Sequence, residues 1–157
     1  MTTYFPLFFD MEGREIRVFG GGKIATRRVK MLLEFGAKVS VTAPKISEEL
    51  EKLARQQENL ILEYRRYCRD ELAQEWLVLA VTDDWHVNDM IFEECRRKHI
   101  LVNVASDKEK CDFYFPGIAR AGDITVGVTA GGRNHRKAAQ ITAKIHGQLS
   151  EWEKEMS

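Results

Sequence analysis

The chain is short of almost everything that would place it in a specialised class. It has only three cysteines, Cys68, Cys95 and Cys111, far apart and without a C-x-x-C or Cys/His cluster. Neither a disulfide framework nor a zinc site is indicated, and no metal is expected; reduced thiols in a cytoplasmic protein fit the pattern. Neither sign of charge is in excess, with 24 Lys plus Arg against 24 Asp plus Glu. A basic surface for nucleic acid is therefore not expected, and any anionic ligand must be met by local charge. No apolar run approaches the ~20 residues of a membrane span, so no membrane partner is expected. The short apolar run in "MTTYFPLFFDMEGRE" lacks a basic flank and is closed by Asp10, unlike a signal peptide. Repeats, low-complexity tracts and flexible linkers are missing too. What remains is an ordinary globular composition, 44% hydrophobic and 31% charged in 157 residues, long enough for a core without staples.

Short apolar runs alternate with amphipathic stretches. "IRVFG" reads as a buried strand. From Lys23 to Phe35, Ala25, Val29, Leu32 and Leu33 share one helical face with Arg27, Arg28 and Lys30 opposite, and Gly36 stands where a helix C-cap belongs. "KVSVTAP" is a second strand stopped by Pro44, Ser47 can cap a polar helix to about Gln57, and "LILEY" is a third strand. "WLVLAVT" is continuously apolar, as a strand covered on both faces would be. Asp83 or Asp84 can cap the next helix, with Val87, Met90, Ile91 and Cys95 at helical spacing, and "ILVNVA" is a fifth strand. The order predicts an α/β fold, a Rossmann-type doubly wound parallel sheet. After Ser106 the rhythm breaks. "CDFYFPGI" and "ITVGVTAGG" read as two strands around "ARAGD", and a last helix from about Asn134 to Trp152 puts Ala138, Ile141, Ile145, Leu149 and Trp152 on one side. We therefore expect a Rossmann domain over residues 1–108 and a small strand-plus-helix unit over 109–157, used for dimerisation and for one side of a substrate cleft.

Gly20-Gly21-Gly22-Lys23-Ile24-Ala25 matches G-x-G-x-x-G/A between a strand and a helix inside a βαβ unit. Gly20 permits the tight turn, a side chain at Gly22 would block a pyrophosphate, and Ala25 lets helix and strand pack closely. The free N–H groups of the helix start, those of Lys23 and Ile24 among them, would face the phosphates. The acid expected at the end of the second strand for the ribose hydroxyls is missing; Thr42, Ala43 and Pro44 stand there. Thr42 can still bond the ribose and Lys45 could meet a 2′-phosphate, so NAD and NADP both stay open. Thr82, Asp83 and Asn103 fall at the carboxyl ends of the fourth and fifth strands, where ligands of open α/β sheets sit.

The blocks "YFPLFFDMEGREIRVFGGGKIATRRVKMLLEFGAKVSVTAPKI", "AVTDD", "VNVASDKEKCDFYFPGI" and "ITVGVTAGG", in this order, resemble the precorrin-2 dehydrogenase family, the N-terminal module of siroheme synthases. The resemblance implies a cytoplasmic homodimer that uses NAD to oxidise precorrin-2 to sirohydrochlorin on the way to sirohaem or cobalamin. It also implies an acid/base aspartate just after the Asn-Val strand. Ser106 falls at that place by count and Asp107 one residue on, so Asp107 is the catalytic candidate, with His135 or water as other proton acceptors. A substrate with eight carboxylates wants donors and cations; Arg120, Gly131, Gly132, Arg133, His135 and Arg136 are candidates by position. The chain departs from the family in Ala130 before the Gly pair, in "RNHRKAA" where a Ser-Pro segment is usual, and in ending at Ser157 after one long helix. Two alternatives follow: a bifunctional dehydrogenase and ferrochelatase, or a dinucleotide and tetrapyrrole-binding module without catalysis.

Overall fold

The computed structural model describes residues 4–131 and 134–156. Gly132 and Arg133, two of the candidate substrate ligands, lie outside them. The chain divides into two compact units, Phe9–Phe113 and the described parts of Met1–Phe8 with Tyr114–Ser157.

The larger unit alternates strands and helices: β1 Glu15–Phe19, α1 Lys23–Glu34, β2 Lys38–Thr42, α2 Glu48–Ala54, β3 Leu60–Glu63, β4 Leu77–Ala80, α3 Trp85–Lys98 and β5 Leu101–Val104. The sheet runs β3-β2-β1-β4-β5, every pair parallel. Chain order reverses direction between β1 and β4. Right-handed crossovers then set α1 and α2 on one face and α3 on the other, the expected doubly wound arrangement. The crossover from β3 to β4 is made by residues 64–76 without a helix. All four β4 residues are buried, because a central parallel strand is covered twice. Phe19, Val78, Ala80, Val102 and Val104 pack with Ile91 and Cys95 of α3. The alternate residues Val18, Val39, Val41 and Leu79 are as deeply buried and face the other way.

Local chemistry sets the helix ends. Ser47 caps α2, its Oγ accepting from Leu50 N–H at 3.3 Å. The helix stops at Ala54, three residues before Gln57. Asp84, and not Asp83, caps α3, with Oδ1 accepting from His86 N–H at 2.9 Å and Val87 N–H at 3.3 Å. Gly36 takes φ 79° just past α1, where an L side chain is strained.

The smaller unit holds the antiparallel hairpin β6 Gly117–Ala121 and β7 Ile124–Val128 and the helix α4 His135–Met156. The hairpin and α4 pack so closely that a Cβ at Gly117 would lie 3.1 Å from Thr142 Cβ. Of the apolar positions of α4, Leu149 is buried while Ile141 and Trp152 are 39% and 47% exposed. The buried stripe therefore runs through Thr142 rather than Ile141.

Candidate dinucleotide site at the carboxyl edge of the sheet

The three glycines between β1 and α1 answer to different constraints. Gly20 has φ 120°, and a Cβ there would lie 2.5 Å from the Val81 carbonyl oxygen and 3.0 Å from Thr82 N. Gly21 would put a Cβ 2.8 Å from Ile46 Cα. Both are demanded by the fold's own packing. Gly22 is not: its φ of −89° suits any residue, and a Cβ there meets nothing within 4 Å. The space in front of Gly22 is open to a ligand.

Gly22 also begins α1, and no side chain caps that helix, although α2 and α3 are capped by Ser47 and Asp84. No acid stands in its first turn. Its first N–H groups, at Lys23 and Ile24, are thus left for an anion, with the positive end of the dipole behind them. Lys23 and Ile24 are exposed and Ala25 is buried against the sheet. Behind the turn, Thr26 Oγ1 donates to Gly22 O at 2.9 Å and shares a hydrogen bond with Ser47 Oγ at 3.0 Å. Ser47 N–H donates to Gly21 O at 2.9 Å. These bonds hold the turn in shape.

At the end of β2, Thr42 is buried and its hydroxyl is already spent. Oγ1 accepts from Arg17 Nη1 and donates to Glu63 Oε2, both at 3.1 Å. Ala43 is buried too, whereas Pro44 and Lys45 are exposed. Arg17 also pairs with Glu63 at 2.9 Å and Glu75 at 3.7 Å, and Arg65 with Glu63 and Glu71 at 2.5 Å each. Burial would raise the Glu63 carboxyl; the hydrogen bond and charge of Arg17, with Thr42 and Arg65, outweigh it and hold the group below the ordinary carboxylate range. Sequence reasoning missed this network, because its members are scattered over four segments.

At the ends of β4 and β5, Thr82 is half-buried and Asp83 exposed. Asn103 is buried and both ends of its amide are committed: Oδ1 accepts from Arg28 Nη1 at 2.6 Å and Nδ2 donates to Phe113 O at 2.7 Å. Burial draws the Arg28 guanidinium below its usual value. Asp107 begins a single 3-10 turn over Lys108–Lys110. Its Oδ1 accepts from Glu109 N–H at 3.0 Å, and Oδ2 lies 3.8 Å from Lys110 Nζ. The Cys111 thiol donates towards the Val104 and Asp107 carbonyls at 3.2 and 3.3 Å, and burial pushes its pKa up. Asn88, buried in α3 beside Thr82, carried no signal in the sequence beyond being polar.

The remaining candidates belong to the smaller unit. Arg120 is an exposed residue of β6, and His135 and Arg136 are exposed at the start of α4. Gly131 has φ 62° and donates its N–H to Thr129 Oγ1 at 3.1 Å. Among the described residues, no three His, Cys, Asp or Glu side chains gather as metal ligands. No described helix is long and apolar enough to cross a membrane.

A parallel sheet ordered 3-2-1-4-5, with an open glycine turn and an uncapped helix at the end of its central strand, defines a dinucleotide-binding α/β protein. Comparison with known proteins agrees. Residues 7–117 match the family described as "Putative NAD(P)-binding", and the chain belongs to that family; its cofactor is a nicotinamide dinucleotide. The chain is 37% identical over 143 residues to a siroheme synthase of Mannheimia succiniciproducens, covering 91% of this chain and 29% of that protein. It is 41% identical over 146 residues to a siroheme synthase of Nitrosospira multiformis, covering 91% and 31%. A probable multifunctional siroheme biosynthesis protein of Ruminiclostridium josui is 36% identical over 144 residues, with 90% and 27% covered. The chain thus spans less than a third of the length of these relatives. Among solved structures it resembles SirC, a precorrin-2 dehydrogenase, with TM-score 0.72 and 26% identity over 94% of this chain and 70% of the other.

Proposed function

We propose that the chain is an NAD-dependent oxidoreductase that converts precorrin-2 to sirohydrochlorin. The observation that carries this is the open space at Gly22 in front of an uncapped α1, in a chain similar to a precorrin-2 dehydrogenase. The bound nicotinamide supplies the hydride acceptor; the chain supplies position and proton transfer. The amides at Gly22, Lys23 and Ile24 hold the diphosphate, and the backbone at Ala43 and Pro44 borders the adenosine ribose. Thr82 and Asp83 line the edge beyond β4. Asn103, its amide spent on Arg28 and Phe113, acts on the site by fixing the end of β5. Asp107 takes the proton: its Oδ1 accepts from a backbone N–H, which leaves Oδ2, 3.8 Å from Lys110 Nζ, for the proton.

NAD is preferred over NADP because the guanidinium groups nearest the end of β2 are neutralised by Glu63, Glu71 and Glu75. The exposed Lys45, just past β2, would be the cation to meet a 2′-phosphate. Arg120 and His135, with Gly132 and Arg133, receive substrate carboxylates, while Gly131, its N–H bonded to Thr129 Oγ1, shapes the turn before α4. The assembly is a homodimer, for which the exposed Ile124, Ile141 and Trp152 offer apolar surface. Three free cysteines suit the cytoplasm.

The test is incubation with precorrin-2 and NAD⁺, following NADH and the sirohydrochlorin spectrum, with NADP⁺ in parallel. Formation of both products, faster with NAD⁺ at equal concentration, is expected; cofactor binding without turnover would refute the dehydrogenase. The second reading, a binding module without catalysis, is favoured by one observation: Asp107 already serves as a turn cap.

A further inference from the structure

A buried amide is costly unless its donors and acceptor are all used. Asn88, in the first turn of α3 and 2% exposed, uses them on the loop that leaves β4. Its Oδ1 accepts from Thr82 N–H at 3.2 Å and from Thr82 Oγ1 at 2.7 Å, a hydroxyl whose single proton is shared with Asp84 O at 2.9 Å. Its Nδ2 donates to Thr82 O at 3.1 Å and reaches Ser106 Oγ at 3.5 Å. One side chain therefore grips the whole of Thr82, amide, carbonyl and hydroxyl together. The orientation is forced, since a flipped amide would set its NH₂ against the Thr82 N–H.

Two consequences follow from where Thr82 and Ser106 stand. The Val81–Thr82 peptide is the surface on which Gly20 is packed, with no room even for a Cβ. Whatever fixes that peptide fixes the floor of the glycine turn. Ser106 directly precedes Asp107, whose N–H is bonded back to Val104 O at 3.1 Å. Asn88 thus joins the glycine turn, the end of β4 and the loop after β5 through one buried group.

We propose that Asn88 is a positioning residue for dinucleotide binding and for proton transfer. It holds the Val81–Thr82 peptide against Gly20 so that the turn keeps its phosphate-accepting shape, and it holds the Ser106 side of the loop that carries Asp107. This rests on the NAD-dependent dehydrogenase reading above.

The experiment uses the full chain, wild type against Asn88→Asp and Asn88→Ala. Asn88→Asp has nearly the same shape but loses both N–H donors and sets a negative charge against Thr82 O. NAD⁺ affinity is measured by titration, and precorrin-2 oxidation by steady-state rates, each below the variant's melting temperature. The Kd for NAD⁺ should rise about tenfold, as expected for one or two misplaced hydrogen bonds. The kcat at saturating NAD⁺ should fall as well, with the KM for precorrin-2 unchanged. A purely structural role would lower the melting temperature and leave both constants alone; affinity within twofold of wild type in a folded Asn88→Asp overturns the proposal. If neither Asn88 variant folds, Thr82→Val, which removes the hydroxyl partner at nearly constant volume, is read by the same titration, and an unchanged Kd overturns the proposal. Wild-type protein that binds no NAD⁺ sinks the enzyme reading and this inference together. Active wild type with unaffected Asn88 variants sinks this inference alone.

Discussion

Replacing Gly22 by valine should weaken cofactor binding about a hundredfold or more and leave the fold almost untouched. Nothing lies within 4 Å of a Cβ at that position, and φ −89°, ψ −166° is extended backbone that valine adopts readily. Valine is a poorer N-cap than glycine by about 1 kcal/mol, offset by about 0.4–1 kcal/mol from the stiffer unfolded chain. The net change is within about 1 kcal/mol, so the melting temperature should move by no more than roughly 4 °C. A diphosphate facing the α1 amides loses at least two charge-assisted hydrogen bonds when methyl groups occupy its place. At about 1.5–3 kcal/mol each, that is roughly a hundredfold or more in Kd. The control is Gly20→Ala. There the φ of 120° and a Cβ 2.5 Å from Val81 O should cost about 2–3 kcal/mol, or roughly 4–12 °C. Calorimetric titration with NAD⁺ and thermal melts of both variants decide the matter. Unchanged NAD⁺ affinity in Gly22→Val, or a melting loss as large as that of Gly20→Ala, would refute the division of labour between these glycines.

Three further predictions come from the same geometry. Asp107→Asn keeps an Oδ1 acceptor for Glu109 N–H but cannot take a proton; kcat for precorrin-2 oxidation should fall about 10²–10⁴-fold with melting unchanged, and a rate near wild type removes Asp107 from the chemistry. Glu94 is buried and accepts from Tyr67 Oη, from Asp70 N–H at 3.1 Å, from Leu72 N–H at 2.8 Å and from Lys98 Nζ at 2.7 Å; burial alone would raise its pKa, but Lys98, Tyr67 and the Leu72 amide together hold it below the usual range. Its contribution is therefore present above the unfolded pKa of about 4.3 and lost as pH falls through the lower folded value; Glu94→Gln should melt below wild type at neutral pH, with the gap closing in acid, and a gap independent of pH contradicts this. Burial pushes the Cys95 thiol up to about 12 while Cys68 is exposed; a disulfide reagent at pH 8 should label Cys68 first and Cys95 only on unfolding, and early modification of Cys95, read by mass spectrometry, contradicts the burial.

Much of the fold could be read from the sequence alone. Apolar runs of a few residues, a helix at 3.6 spacing after Gly22, caps at Ser47 and at Asp83 or Asp84 and a terminating Gly36 are local signals, each set by residues within a few positions of one another. Their order was enough to predict a parallel doubly wound sheet, and the glycine spacing was enough to suggest a dinucleotide turn. Hydrophobic pattern, however, ranked residues of α3 by polarity. It could not show that Asn88 and Glu94 occupy core positions beside Ile91 and Cys95, because what makes their burial tolerable lies on other elements: Thr82 and Ser106 for one, Tyr67, Leu72 and Lys98 for the other. The same holds for Thr42, a plausible ribose ligand by position, whose hydroxyl is used by Arg17 and Glu63.

The three glycines look alike in sequence, and only their neighbours in space tell them apart. Val81 and Ile46, brought in from just past β4 and from the loop after β2, press on Gly20 and Gly21; nothing presses on Gly22. Short-range chemistry determined which segments become strands and helices and in what order they pack. Long-range packing decided which polar atoms are spent inside the protein and which amides are left over for a ligand, because a hydrogen bond is settled by who arrives at bonding distance and not by distance along the chain.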